Sequence, residues 1–392
     1  MSTNESVDPI YLDNNATTPL LPEVVDAMLP FLTTHFGNPS SRHVYGARAK
    51  AAVEFARAQV AALLGCEPEE VFFTSGGTEA NNLAIVGATR RRSDRKHVVT
   101  STVEHPATER PCSSLESSGW EVTRISVRSD GDVDPADLRP FVRGDTALVT
   151  VMLANNETGT IMPIPAIAEL AHERGALMHT DAAQAVGKVP TRVRELGVDL
   201  LSIAGHKLYA PKGVGALYVR KGTAIQPLVL GAGHERGLRP GTENVASIVG
   251  LGKACEIAQR DLGEEPKRVA LLRDRLWDGM LAAIPGLRLN GHLTQRLPNT
   301  LNVSFPGARG SAVLAHAPGI AASTGSACHE GGESPSAVLL AMGLDAATAL
   351  GAVRLTLGRF SGSEEIEEAS DRLIEAYRAA TTSRVPDGKD LR

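Results

Sequence analysis

The feature that most constrains this chain is an alternation. Short apolar runs (Val98–Val99 with its neighbours, Ala147–Leu153, Ala176–Met178, Leu200–Ile203 and Val214–Val219) are separated by longer amphipathic stretches such as Ile167–Arg174. Strands of that length spaced by helical periods predict a parallel sheet with helices on both faces, because parallel neighbours need a crossover that a helix supplies. In such sheets ligands sit beyond the carboxyl ends of the strands, so the polar residues after each apolar run are the first to read. From about residue 265 the texture changes. The periodic run Val269–Ala283, the strand-like Leu301–Phe305 and Val353–Leu357, and a helix near Glu364–Ala379 predict a smaller α+β unit, joined by the N-terminal segment.

Composition enters as exclusion. With 392 residues, 42% hydrophobic and 22% charged, the chain can bury a full core. A net charge of −5 gives no global positive field, so direct nucleic-acid binding is not expected. No apolar run approaches the roughly 20 residues that span a bilayer, and Met1–Ser6 lacks the marks of a signal peptide, so a cytoplasmic protein is expected. Cys66, Cys112, Cys255 and Cys328 are scattered and form no C-x-x-C, which predicts free thiols and no metal site. The basic cluster Arg90, Arg91, Arg92, Arg95 and Lys96 reads as a solvated loop.

The chemistry gathers where apolar runs end. Lys207 follows Leu200–Ile203 and is succeeded by tight turns. A lysine can capture an aldehyde once burial or a nearby cation lowers its pKa, and His206 and Lys212 are close in sequence. Asp181 closes another run 26 residues earlier, one strand–helix–strand step, which predicts neighbouring strands. A lysine for the aldehyde and a carboxylate for the pyridine nitrogen are what pyridoxal 5'-phosphate requires. The stretch Val71–Thr74, Ser75-Gly76-Gly77, Thr78-Glu79-Ala80-Asn81 reads as strand, turn and helix start. The amides there and the Thr78 hydroxyl make an anion cup.

With these in place the chain resembles the cysteine desulfurases of the class-V aminotransferase-fold group, related to NifS and IscS proteins. The likeness runs through Tyr11-Leu12-Asp13-Asn14-Asn15-Ala16-Thr17-Thr18-Pro19, Gly37-Asn38-Pro39-Ser40-Ser41, Asn155-Asn156-Glu157-Thr158-Gly159, Gly205-His206-Lys207, Glu235–Thr242 and Gly325-Ser326-Ala327-Cys328. It implies the α/β fold type I of pyridoxal-phosphate aminotransferases. Residues 18–262 would form a large domain with a mainly parallel seven-stranded sheet, and 1–17 with 263–392 a small domain carrying the cysteine loop. It implies that Lys207 bears the cofactor, Asp181 pairs with the pyridine nitrogen, Gln184 bonds the ring oxygen and His105 stacks on the ring and moves protons. Gly77, Thr78 and His206 would hold the phosphate. Thr242 would reach the phosphate of the other subunit of a homodimer, Asn156 would also contact the cofactor, and Asn156 and Arg354 would hold the carboxylate of L-cysteine. Where the family often has a serine two residues before the histidine of Gly-His-Lys, this chain has Ala204.

Cys328, among small residues in a stretch expected to be a mobile surface loop, is the implied persulfide carrier, with His329 helping to keep it a thiolate. The products would be alanine and a sulfur atom passed to an acceptor protein. The missing Ser-Pro-Leu-Trp-type tail turns the expectation from an iron–sulfur scaffold towards tRNA thiolation or DNA phosphorothioation through a protein relay. The alternative is selenocysteine lyase, which shares fold and cofactor residues. The seven-residue step from Cys328 to Pro335 is closer to the desulfurase loop. An aminotransferase with Cys328 incidental and a non-catalytic dimeric scaffold are the remaining readings. The second conflicts with retention of Lys207, Asp181 and His105.

Overall fold

The computed structural model describes residues 8–92, 94–324, 328–329 and 332–382, with the backbone alone at 328, 329 and 332. Seven strands make the main sheet: β1 (Val71–Thr74), β2 (His97–Ser101), β3 (Glu121–Ile125), β4 (Thr146–Thr150), β5 (Leu177–Asp181), β6 (Leu200–Ala204) and β7 (Gly215–Val219), in the order β1-β7-β6-β5-β4-β2-β3. All run parallel except β7, which is antiparallel to both neighbours. The exception has a local cause. The ten residues between β6 and β7 hold a short helical turn and tight turns, not the crossover a parallel return would need.

The sheet is covered on both faces. On one side α1 (Val44–Leu64) and α4 (Val245–Asp261) share a core with Val99, Val149, Met178, Leu201 and Ile203. On the other, α2 (Gly77–Arg91) and α3 (Pro106–Ser117) pack Leu83, Ile85 and Leu115 against Val98, Leu148, Leu200 and Leu217. Alternate residues of each strand thus serve opposite cores, which is why these strands read as unbroken apolar runs. A third core lies around α5 (Glu265–Ala283), β8 (Thr300–Ser304), β9 (Ala352–Thr356) and α6 (Ser363–Thr382), and it takes in Leu12 from the N-terminal segment. The helix read as Val269–Ala283 starts at Glu265 because Pro266 opens its first turn.

The expected strand Ala147–Leu153 spans Thr146–Thr150, and beyond it Leu153 N still bonds Asp181 O at 2.9 Å. The basic cluster is less solvated than its sequence suggests. Arg95 bonds the carbonyls of Thr146, Arg174 and Gly175, and Arg92 that of Gly175. Among the described residues no helix is long and apolar enough to cross a membrane, and no His/Cys/Asp/Glu cluster could hold a metal ion.

Candidate active site

The carboxyl ends of the parallel strands open into a cleft of about 420 Å³ whose lining includes Gly77, Thr78, His105, Asn156, Asp181, Gln184, His206, Lys207 and Arg354. Asp181 is the last residue of β5, and Lys207 lies three residues past β6. The two strands are hydrogen-bonded neighbours, as the 26-residue spacing predicts, with Asp181 opposite Ser202. The buried Asp181 carboxylate accepts from Asn81 Nδ2 at 2.6 Å and from Ala183 N at 2.9 Å.

Lys207 Nζ donates to the carbonyl oxygens of Ala16 (2.7 Å) and Asn15. Burial, and after it Arg354, lower its pKa to about 8 against the pull of Asp13 and Asp181. The cation that assists is therefore Arg354, from the third core, not His206 or Lys212 as chain proximity suggested. His206 is itself lowered to about 4, by burial and then by Lys207, Lys212 and Lys188, and its Nδ1 lies 3.2 Å from Thr17 Oγ1. His105 caps α3: its Nδ1 accepts from Ala107 N at 3.0 Å, which leaves the proton of the neutral ring on Nε2. Burial and Lys207 lower its pKa, with Asp181 opposing.

At one end of the cleft, Gly77 opens α2 directly after Gly76, whose φ of 154° suits glycine alone. A Cβ at Gly77 would come within 3.0 Å of Ala204 Cβ, so the helix start sits against β6 with no room for a larger residue. At the opposite end, β9 carries Arg354. The guanidinium is 9% exposed and bonds Asp13 Oδ1 at 2.8 Å and Asn156 O at 3.1 Å, while its buried Nε has no partner. An unmet buried donor costs about 1–3 kcal/mol. Arg354 thus has a salt bridge and also a donor left for an anionic ligand.

One expected residue is not brought into this cleft. Thr242 is exposed and does not line it. The Cys328 side chain and that of His329 lie outside the described residues, although the backbone of Cys328–His329 pairs with Gly332–Glu333. Arg354 N bonds Ser323 O at 2.6 Å, so five residues of chain tether Cys328 within roughly 17 Å of that point. Burial pushes the thiols of Cys66, Cys112 and Cys255 up to about 12, which makes each a poor nucleophile.

The structure adds residues that the sequence reading passed over. Asn81 stands one turn after Gly77 on α2, a spacing that could have placed it over the cleft. Asn15 is a buried hub: its carbonyl takes Lys207 Nζ and Gln184 Nε2, and its side chain joins Asn156 O, Thr300 Oγ1 and Asn299 Nδ2. Glu104, beside His105, accepts from Ser101 Oγ and Met152 N, and burial raises its pKa to about 8. Neither Asn15 nor Glu104 carries a sequence signal beyond its neighbours.

The donor set fits pyridoxal phosphate. An amine of lowered pKa, a buried carboxylate one strand away, a helix start with Thr78 and an unmet arginine donor each match one of its polar demands or those of an amino-acid substrate. Residues 10–368 match the aminotransferase class-V family. A cysteine desulfurase of Nostoc sp. is 48% identical over 375 residues, 94% of each chain. A solved structure described as a NifS-like protein superposes with TM-score 0.89 at 38% identity, covering 95% of this chain and 100% of that one. SspA in complex with cysteine superposes with TM-score 0.79 at 35% identity, covering 90% and 99%.

Proposed function

The chain belongs to the class-V aminotransferase family and is a cysteine desulfurase, and from that premise we propose how this cleft performs the reaction. The observation that carries the reading is the Lys207 amine and the Asp181 carboxylate at the ends of adjacent parallel strands, facing one cleft with the start of α2. Lys207 would hold pyridoxal phosphate by its aldehyde, Asp181 its pyridine nitrogen, and Gln184 its ring oxygen, with His105 against the ring. Gly77, Thr78 and His206 would hold the phosphate. Ala204 contributes no hydroxyl to that cup. The bound cofactor supplies an electron sink for the bonds around the substrate's α-carbon.

The chain's own groups do the rest. The Nε donor of Arg354 and the Asn156 amide orient the carboxylate of L-cysteine. Lys207 Nζ, with a pKa of about 8, both takes and returns a proton near neutral pH, and His105 Nε2 is placed to pass one. Cys328 as thiolate attacks the substrate's sulfur. Its electron pair makes the S–S bond, the Cβ–S pair stays with the carbon skeleton, and protonation there releases alanine. The persulfide then leaves to an acceptor protein. Thr242, exposed on its own chain, suits a homodimer in which it completes the partner's phosphate cup.

The relatives favour desulfuration over the selenocysteine lyase alternative. The deciding experiment assays alanine from L-cysteine and from selenocysteine, for wild type and Cys328→Ala. The proposal expects cysteine turnover to collapse in the variant. Undiminished alanine release from cysteine would remove the thiol from the mechanism.

A further inference from the structure

Gln184 is buried between two partners of opposite kind. Its Nε2 donates to the Asn15 carbonyl at 3.0 Å, and its Oε1 accepts from Lys188 Nζ at 3.2 Å. Lys188 Nζ also donates to the Gln184 backbone carbonyl at 3.1 Å, one turn away, so both of its bonds fall on the same residue. A carbonyl can only accept, so Asn15 requires the N–H pair on its side, and the Lys188 amine donating to Oε1 supports that same orientation of the amide. The N–H pair is on the Asn15 side, where Lys207 Nζ also bonds, and one of its hydrogens remains for the cleft that Gln184 lines.

We propose that Lys188 is a positioning residue for the cofactor: it fixes the Gln184 amide so that the cleft meets a donor and not an acceptor. The inference rests on the assignment of Gln184 to the ring oxygen made above. Without Lys188 the Oε1 atom loses this donor and the Asn15 carbonyl alone orients the amide, so the amide more readily turns its carbonyl towards the ring oxygen, which cannot donate when ionised. One misplaced buried hydrogen bond corresponds to a loss of about 3–10-fold in binding.

The test measures pyridoxal phosphate dissociation by equilibrium dialysis, and the absorbance spectrum of the bound cofactor, for wild type, Lys188→Met, Gln184→Leu and the double variant. Lys188→Gln, which can still donate, serves as the rescue and as a second variant should Lys188→Met not fold. The expected result is about 3–10-fold weaker binding and an altered spectrum in Lys188→Met, partial recovery in Lys188→Gln, and no further loss when Lys188→Met is added to Gln184→Leu. A full extra loss in the double variant, or unchanged binding and spectrum in folded Lys188→Met, overturns the inference while a weakened Gln184→Leu leaves the cofactor reading intact. Wild-type binding by Gln184→Leu would overturn both.

Discussion

The two ends of the cleft are built differently. The end proposed for the cofactor is local: Gly77, His105, Asp181 and Lys207 each sit at or just beyond the end of a strand of one sheet, positioned by its ladder. The end proposed for the substrate is assembled from afar. Arg354 on β9 meets Asp13 across 341 residues, and Asn15 meets Thr300 and Asn299 across 285 and 284. A rigid sheet suits a group that stays, while a rim carried by a separate core suits one that comes and goes. Changes at the two ends should therefore separate into cofactor effects and substrate effects.

The strongest break is at the cofactor end. Lys207→Ala should lower kcat for L-cysteine by about 10³-fold or more, since proton transfer alone contributes about 10²–10⁴-fold. Steady-state alanine production checks it. Arg354→Gln should instead raise KM about 10–100-fold, the worth of hydrogen bonds to a charged group, with cofactor content unchanged. Loss of the cofactor from that variant would dissolve the distinction. Asn15→Ala touches both ends, and with several buried bonds gone it should cost about 3 kcal/mol in urea unfolding and weaken cofactor and substrate together.

The smallest effect concerns pH. The Lys207 ammonium has a pKa of about 8 in the fold against 10.5 free, so between those values the folded apo-chain binds fewer protons than the unfolded one. Its burial therefore costs stability below pH 8, and the cost is relieved as pH rises to 10.5. Apo Lys207→Met should melt about 3 °C above the apo wild type at pH 7, with the gap closing near pH 10.5 by calorimetry.

The local end is also the legible one. The alternation of strand and helix, the 26-residue step from Asp181 to Lys207 and the glycines before Thr78 are short-range patterns that a single chain displays. The reversed β7 follows from connection length, which the sequence held but periodicity does not report. Asn15, Asp13 and Glu104 act through contacts between distant segments, and although Asp13 and Asn15 lie in a stretch that carries the family likeness, no periodicity reports those contacts. For the same reason chain proximity points to His206 and Lys212 as the cations beside Lys207, when Arg354, 147 residues on, adds the charge to the effect of burial.

Two buried amines compete for the central role, Lys207 with a pKa of about 8 and Lys188 with about 7, the latter lowered by burial and then by Lys207 and Arg354. Borohydride reduction of the holoenzyme followed by peptide mapping distinguishes them directly. A pyridoxyl adduct on the peptide containing Lys207 is the predicted result, and an adduct on Lys188, or on neither, would contradict the account.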